Sequence, residues 1–262
     1  MPIKTAWARA LVGLAIVWLG GLALVHATEA ATTRTISLPA IQRNHRPAAA
    51  TPSPTPTQTP APTVLIYGWV TLAGQPAANV SVTLGLYEME EYVGALDQAL
   101  TDQDGLYSFT AEAGLLGPGQ SMGVRYENEG GAEGRLLYWR GYPFTPAAGA
   151  TTHPGGDFDI ADIPLVTPDT SEPLPLPITF AWLPRDPAWA PDDVYQLALA
   201  WRAGDETLAA FVSEDLLDDH YALGSLPEGF AYGQPFEWWV AVWGAYGQGR
   251  SLRTNWAAVA AP

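Results

Sequence analysis

Few residues of this chain could carry chemistry, and each set demands a particular setting. Gly119-Gln120-Ser121-Met122-Gly123 has the Gly-x-Ser-x-Gly spacing of a nucleophile elbow. Such a serine works on a strained strand-to-helix turn, with a histidine and an acid placed beside it. Here a further strand-like run, Val124-Arg125-Tyr126, follows, and His153 and His220 are the only histidines beyond residue 63. The spacing therefore reads as coincidence. Asp102-Gln103-Asp104-Gly105 resembles the start of a calcium loop but lacks the third acidic position and the distal glutamate. An Asp-Gly hairpin turn is the expectation there. Glu214, Asp215, Asp218 and Asp219 fall between expected strands. Their carboxylates would suit a weak cation site or simply a solvated loop. Cysteine is absent, which excludes thiol catalysis, thiolate metal sites and disulfides. With no acid/base pair, triad or metal cluster, the expectation is a protein without catalytic residues, cofactor or metal.

Tryptophan is the stronger signal. Residues 182, 189, 201, 238, 239, 243 and 256 are seven of the eleven in the chain. Strand alternation over Phe236–Trp243 puts Phe236, Trp238, Val240 and Val242 on one face and Trp239 and Trp243 on the other. The first set is the natural core. Trp239 and Trp243 are the candidate ligand or partner surface, because large outward aromatics stack on sugars or anchor protein partners. The competing reading is that a neighbouring domain or the Phe230–Pro235 loop covers them.

These residues must be positioned by short strands. Gly (26) and Pro (24) are abundant and charged residues make up only 15%, a composition of strands and turns rather than helices. Net charge is −15, with five Lys/Arg against one acid in residues 1–63 and seven against 26 in 64–262. The later part is thus at −19, which argues against nucleic acid as a partner. Lys4 and Arg9 precede an uncharged apolar run, Ala10 to Val25, and small residues to Ala27 and Ala30. This is the pattern of a secretory signal peptide over 1–27. The alternative is an uncleaved anchor, the one route by which the chain would touch a membrane, although sixteen helical residues reach only about 24 Å. Either way the rest is expected outside the cytoplasm, secreted or at the cell surface, where an extracellular protein or a glycan would be the partner. Residues 28–63 read as a Pro/Thr-rich disordered tether, a semi-rigid stalk or a passive linker. The role of its apolar patch Ile36–Ile41 is open.

From Val64 the chain alternates apolar and polar residues with turns at short intervals, the all-β signature. Gly68-Trp69-Val70, the Gly74-Gln75-Pro76 turn, Val80-Ser81-Val82-Thr83-Leu84 and Thr101-Asp102-Gln103-Asp104-Gly105-Leu106-Tyr107-Ser108-Phe109 together resemble a carboxypeptidase regulatory-like domain. That resemblance implies a transthyretin-like β-sandwich over 64–168, with its final strand at Phe158–Val166 and a structural or binding role. Four prolines in residues 168–177 mark a linker at 169–176. Beyond it stand Trp182-Leu183-Pro184, Tyr195-Gln196-Leu197-Ala198-Leu199, Leu226-Pro227-Glu228-Gly229, Phe236-Glu237-Trp238-Trp239-Val240 and Gly247-Gln248-Gly249-Arg250-Ser251. These resemble a fibronectin type III-like sandwich over 177–262. The expected fold is all-β, two small antiparallel sandwiches in tandem. The expected function is a non-catalytic exported or cell-surface interaction or spacer module, the alternative being a carbohydrate-binding accessory protein that uses its tryptophans.

Overall fold

Alternation decides the strands. In β1 (Thr63–Leu72) Val64, Ile66 and Val70 are buried while Leu65 and Trp69 are exposed, the period-two pattern of a sheet with one covered face. The computed structural model describes residues 62–112 and 114–262. These belong to one compact unit, and among them there is no helix and therefore no apolar helix able to cross a membrane. The expected signal peptide at 1–27, nearly all of the 28–63 tether and the Ile36–Ile41 patch lie outside the described residues.

The first half continues with β2 (Gln75–Pro76), β3 (Ser81–Glu88), β4 (Glu91–Leu100), β5 (Leu106–Glu112), β6 (Gln120–Glu127), β7 (Tyr138–Gly141), β8 (Thr152–Pro154) and β9 (Phe158–Asp159). One sheet joins β2, β1 and β5, with β8 and β9 parallel to β1, and the other runs β4-β3-β6-β7. Their inward faces meet in an apolar core that includes Ile66, Leu84, Tyr107, Phe109 and Val124. The Asp-Gly turn departs from the expectation. β4 pairs with β3, whereas β5 pairs with β1. The turn is therefore a crossing between sheets rather than a hairpin. Asp102 Oδ1 accepts from Asp104 N and Leu106 N at 2.9 Å each, which caps the turn from within. Gly105 is obligatory there, with φ at 76° and a backbone approach in which any Cβ would meet the Val70 carbonyl.

The second half contains β10 (Leu165–Thr167), β11 (Pro173–Leu174), β12 (Ile178–Trp182), β13 (Val194–Ala203), β14 (Glu206–Val212), β15 (His220–Leu223), β16 (Phe236–Gly244), β17 (Gly247–Arg250) and β18 (Asn255–Val259). A three-stranded sheet, β10-β12-β15, packs on the sheet containing β14, β13, β16, β17 and β18. The rings of Phe180 and Trp238 meet edge to face at 5.2 Å between those layers. The single strand expected at Phe158–Val166 is in fact two pieces. β9 stays with β1, and after Pro164 β10 pairs with β12, because proline cannot carry the ladder onward. The expected linker is held as well: β11 pairs in parallel with β18, and the Trp238 indole donates to the Pro168 carbonyl at 2.7 Å.

The two halves share a sheet. β17 pairs antiparallel with β7, Gly247 opposite Gly141, Gln248 opposite Arg140, Gly249 opposite Trp139 and Arg250 opposite Tyr138. This seam makes one ten-stranded sheet. Its local cause is the Gly-x-Gly of β17. A Cβ at Gly247 would strike the Arg140 carbonyl, and one at Gly249 would come within 2.7 Å of Leu136 Cδ1. Only glycine lets the two edges close over the buried ring of Trp139.

Candidate functional site

On the outer face of the ten-stranded sheet, alternation does what the sequence predicts. Phe236, Trp238, Val240 and Val242 are fully buried, and Trp239 and Trp243 stand on the opposite side, each half-buried. The Arg250 guanidinium lies 4.3 Å from the centroid of Trp239, and the Trp243 indole donates to Gln196 Oε1 at 2.9 Å.

Sequence reasoning named the tryptophans and missed what surrounds them. Arg125 (β6), Arg140 (β7), Arg250 (β17) and Arg202 (β13) all project from this face, four of the seven arginines in residues 64–262. Three sit over rings: Arg125 at 3.9 Å over Tyr92, Arg140 at 4.3 Å over Tyr138 and Arg250 over Trp239. Arg125 and Arg140 are direct cross-strand partners, like charges facing each other. Arg125 is compensated by Glu127 at 2.6 Å and Arg202 by Glu237 at 3.5 Å. Among the described residues no carboxylate reaches Arg140 or Arg250 within 4 Å, and the Nε of each is buried without a protein partner. Burial, with Arg202 and Arg140 nearby, pushes the Arg250 guanidinium below its ordinary value. The only signal for this row in the sequence is arginine placed in phase with Tyr and Trp on strands that are distant in the chain.

A second site lies at the seam on the inner side, a cleft of about 210 Å³ lined among others by Trp139, Asp159, Arg185, Trp189, Asp193 and Tyr246. Arg185 fills its floor. Nε and Nη2 donate to the two Asp193 oxygens at 2.7 Å, and Nη1 donates to the Asp159 carbonyl, also at 2.7 Å. The Tyr195 hydroxyl accepts from Arg185 N at 2.9 Å and donates to Asp193 at 3.2 Å. Burial, and then the Asp193 charge, push the Tyr195 phenol up to about 12. The guanidinium lies 5.9 Å from the Trp139 ring and 5.8 Å from that of Trp189. Asp159, besides offering its carbonyl, takes Thr71 Oγ1, Gly74 N and Ala161 N on its carboxylate. The charged groups of Arg185, Asp193 and Asp159 and the Tyr195 hydroxyl are all bonded within the protein, so the cluster serves as a joint.

The remaining chemistry-bearing residues stay apart. Ser121 lies in the regular pairing of β6 with β3, opposite Tyr87, and no elbow forms. His153 stacks on Phe144 at 4.3 Å, and burial lowers its pKa. His220 pairs with its exposed neighbour Asp219 at 2.9 Å, and Asp215 accepts from Gln196. Among the described residues no three His, Cys, Asp or Glu side chains converge as metal ligands would.

No family model and no curated protein matches the chain. Among solved structures it is similar to the FN1–FN3 domains of chicken CNTN1, at 12% identity and a TM-score of 0.30. The match covers 77% of this chain and 65% of that one, so the chain spans just under two thirds of that structure's length.

Proposed function

We propose that the protein is an exported, non-catalytic interaction module that presents the outer face of its ten-stranded sheet to a partner outside the cell. The observation that carries this reading is the position of Trp239 and Trp243, half-buried and side by side with a row of arginines on a face to which both halves contribute. In this reading residues 64–168 form a carboxypeptidase regulatory-like sandwich and 177–262 a fibronectin type III-like one, joined edge to edge into a stiff body. The signal-peptide pattern of residues 1–27 and the Pro/Thr stretch that follows support export and a raised position on a stalk. The regular strand setting of Ser121 and the internal bonding of Arg185, Asp193 and Asp159 support a binding role over catalysis.

The test is binding by the purified full chain to a panel of neutral and acidic polysaccharides and extracellular-matrix proteins, alongside the Trp239→Ala/Trp243→Ala double variant. The wild type is expected to bind at least one member and leave it chemically intact, and the double variant, still folded by near-UV circular dichroism, to lose that binding. Equal binding by both proteins, or cleavage of the bound partner, would sink the proposal.

A further inference from the structure

We infer that the partner of this face is a carboxylate-bearing polysaccharide, a uronate polymer, laid across the strands along the row Arg125–Arg140–Arg250–Arg202. This rests on the reading of the outer face as a partner surface and adds the chemistry of what it holds.

Residues 64–262 carry 26 acids against seven arginines and no lysine, yet four of the arginines are gathered on one face of one sheet. Such a cluster costs energy by mutual repulsion, with Arg125 and Arg140 directly opposed across β6 and β7. Folding alone does not require it, since any uncharged polar residue would serve at an outward strand position. The compensation is also uneven. The row's ends have carboxylates, Glu127 for Arg125 and Glu237 for Arg202, while Arg140 and Arg250 at its centre have none within 4 Å. Those two are held instead by the rings of Tyr138 and Trp239, Arg250 also donating from Nη2 to Thr254 Oγ1 at 2.7 Å. A guanidinium stacked by its flat face can still offer a carboxylate those terminal N–H groups that the protein leaves unbonded.

Geometry then selects the kind of polyanion. Arg125, Arg140 and Arg250 rise from consecutive strands, β6, β7 and β17, spaced about 4.7–4.9 Å apart in a sheet. Arg125 and Arg140 are level with each other and Arg250 is stepped two residues along β17, so the three form a diagonal track across the strands, suited to a linear chain with charge at every repeat. Half-exposed rings flank that line: Tyr92, 42% exposed, at one end, Tyr138 in the middle and Trp243 beyond Arg250. Alternating cation and ring on a flat surface fits a sugar polymer, whose apolar ring faces stack while its carboxylates pair. An acidic peptide, with charges on flexible arms, has no use for the rings.

The experiment is affinity electrophoresis of the full chain in gels containing polygalacturonate, dextran sulfate or unmodified dextran, with flotation on vesicles of phosphatidylserine and phosphatidylcholine run in parallel. Polygalacturonate is expected to retard the protein, dextran to leave it unaffected, and added salt to weaken the retardation. Arg140→Gln should weaken the polygalacturonate interaction roughly tenfold or more, the worth of a charge-assisted hydrogen bond. Arg253→Gln, which removes an arginine 71% exposed in its side chain outside the row, should change nothing. If Arg140→Gln loses its near-UV spectrum, Arg202→Gln at the more exposed end of the row provides the same readout. Retardation by dextran that Arg140→Gln leaves intact but Trp239→Ala/Trp243→Ala abolishes would overturn the acidic assignment and keep the partner surface. Binding only to dextran sulfate or only to vesicles would overturn the uronate assignment. Polygalacturonate binding that none of the face variants changes would overturn both readings.

Discussion

Arg185 and Arg140 stand about the seam between the two halves and are used in opposite ways. Arg185 is 6% exposed, and its guanidinium spends its donors on Asp193 and the Asp159 carbonyl, with the Tyr195 hydroxyl completing the cluster. Arg140 lies on the far side of the same sheet, over Tyr138, with Arg125 opposite and no carboxylate within reach. A buried charge must be fully paired inside the protein because water cannot compensate it. An outward charge can remain unpaired, since solvent or a ligand supplies the counter-charge. Complete pairing thus marks a residue that holds the fold together, and incomplete pairing marks one available to something else.

Three measurements would break or sharpen that contrast. The largest effect belongs to Arg185→Met, which strands the buried Asp193 carboxylate and frees the Asp159 carbonyl. It should cost about 3–5 kcal/mol in urea denaturation of the full chain. A loss below about 1 kcal/mol would show that the cluster is decoration and not a joint.

Next is the alkaline behaviour of Tyr195. Its folded pKa of about 12 lies above the ordinary 10.0, so the neutral phenol is the form that the fold favours. The associated stability is fully present below pH ~10 and is lost as pH rises through the folded value, on the order of 2–3 kcal/mol in all. Tyr195→Phe removes that titration. The stability gap between wild type and variant should therefore shrink between pH 9 and 11.5, even though other buried tyrosines titrate in both proteins. A gap that stays constant with pH would place Tyr195 outside the electrostatics of the joint.

The smallest effect is expected for Arg140→Gln. With no ion pair to lose and one like-charge opposition relieved, its stability should stay within about 0.5 kcal/mol of wild type. A loss comparable to that of Arg185→Met would mean that the outward row is itself structural, and the contrast would disappear.

Much of this was legible in the chain, because it depends on local periodicity. The two-residue repeat of Val80-Ser81-Val82-Thr83-Leu84 and of Phe236 to Trp243 assigns both strand type and face. Trp238 goes inward and Trp239 and Trp243 outward without reference to any other part of the molecule. The absence of cysteine, the acidic excess beyond residue 63 and the Gly-x-Ser-x-Gly followed by a strand-like run were equally local; the first excludes thiol chemistry, and the other two set the expectation of no nucleic-acid partner and no elbow serine. Periodicity could not say which strand edge meets which. The Asp-Gly turn looks the same whether it closes a hairpin or crosses between sheets, since Asp102 accepts from Gly105 N on its carbonyl and from Leu106 N on its carboxylate in either case. Proline-rich residues 168–177 read as a free linker, yet β11 is paired there, because a parallel partner, β18, arrives from the far end of the chain. The seam of β7 with β17 brings residues 138–141 against 247–250, and only that pairing sets Arg140 and Arg250 on adjacent strands of one face. Face is set by a residue's immediate neighbours along the strand, whereas edge pairing is set by long-range packing. So the sequence by itself determined which side chains point outward, and only the tertiary structure decided that they form one surface.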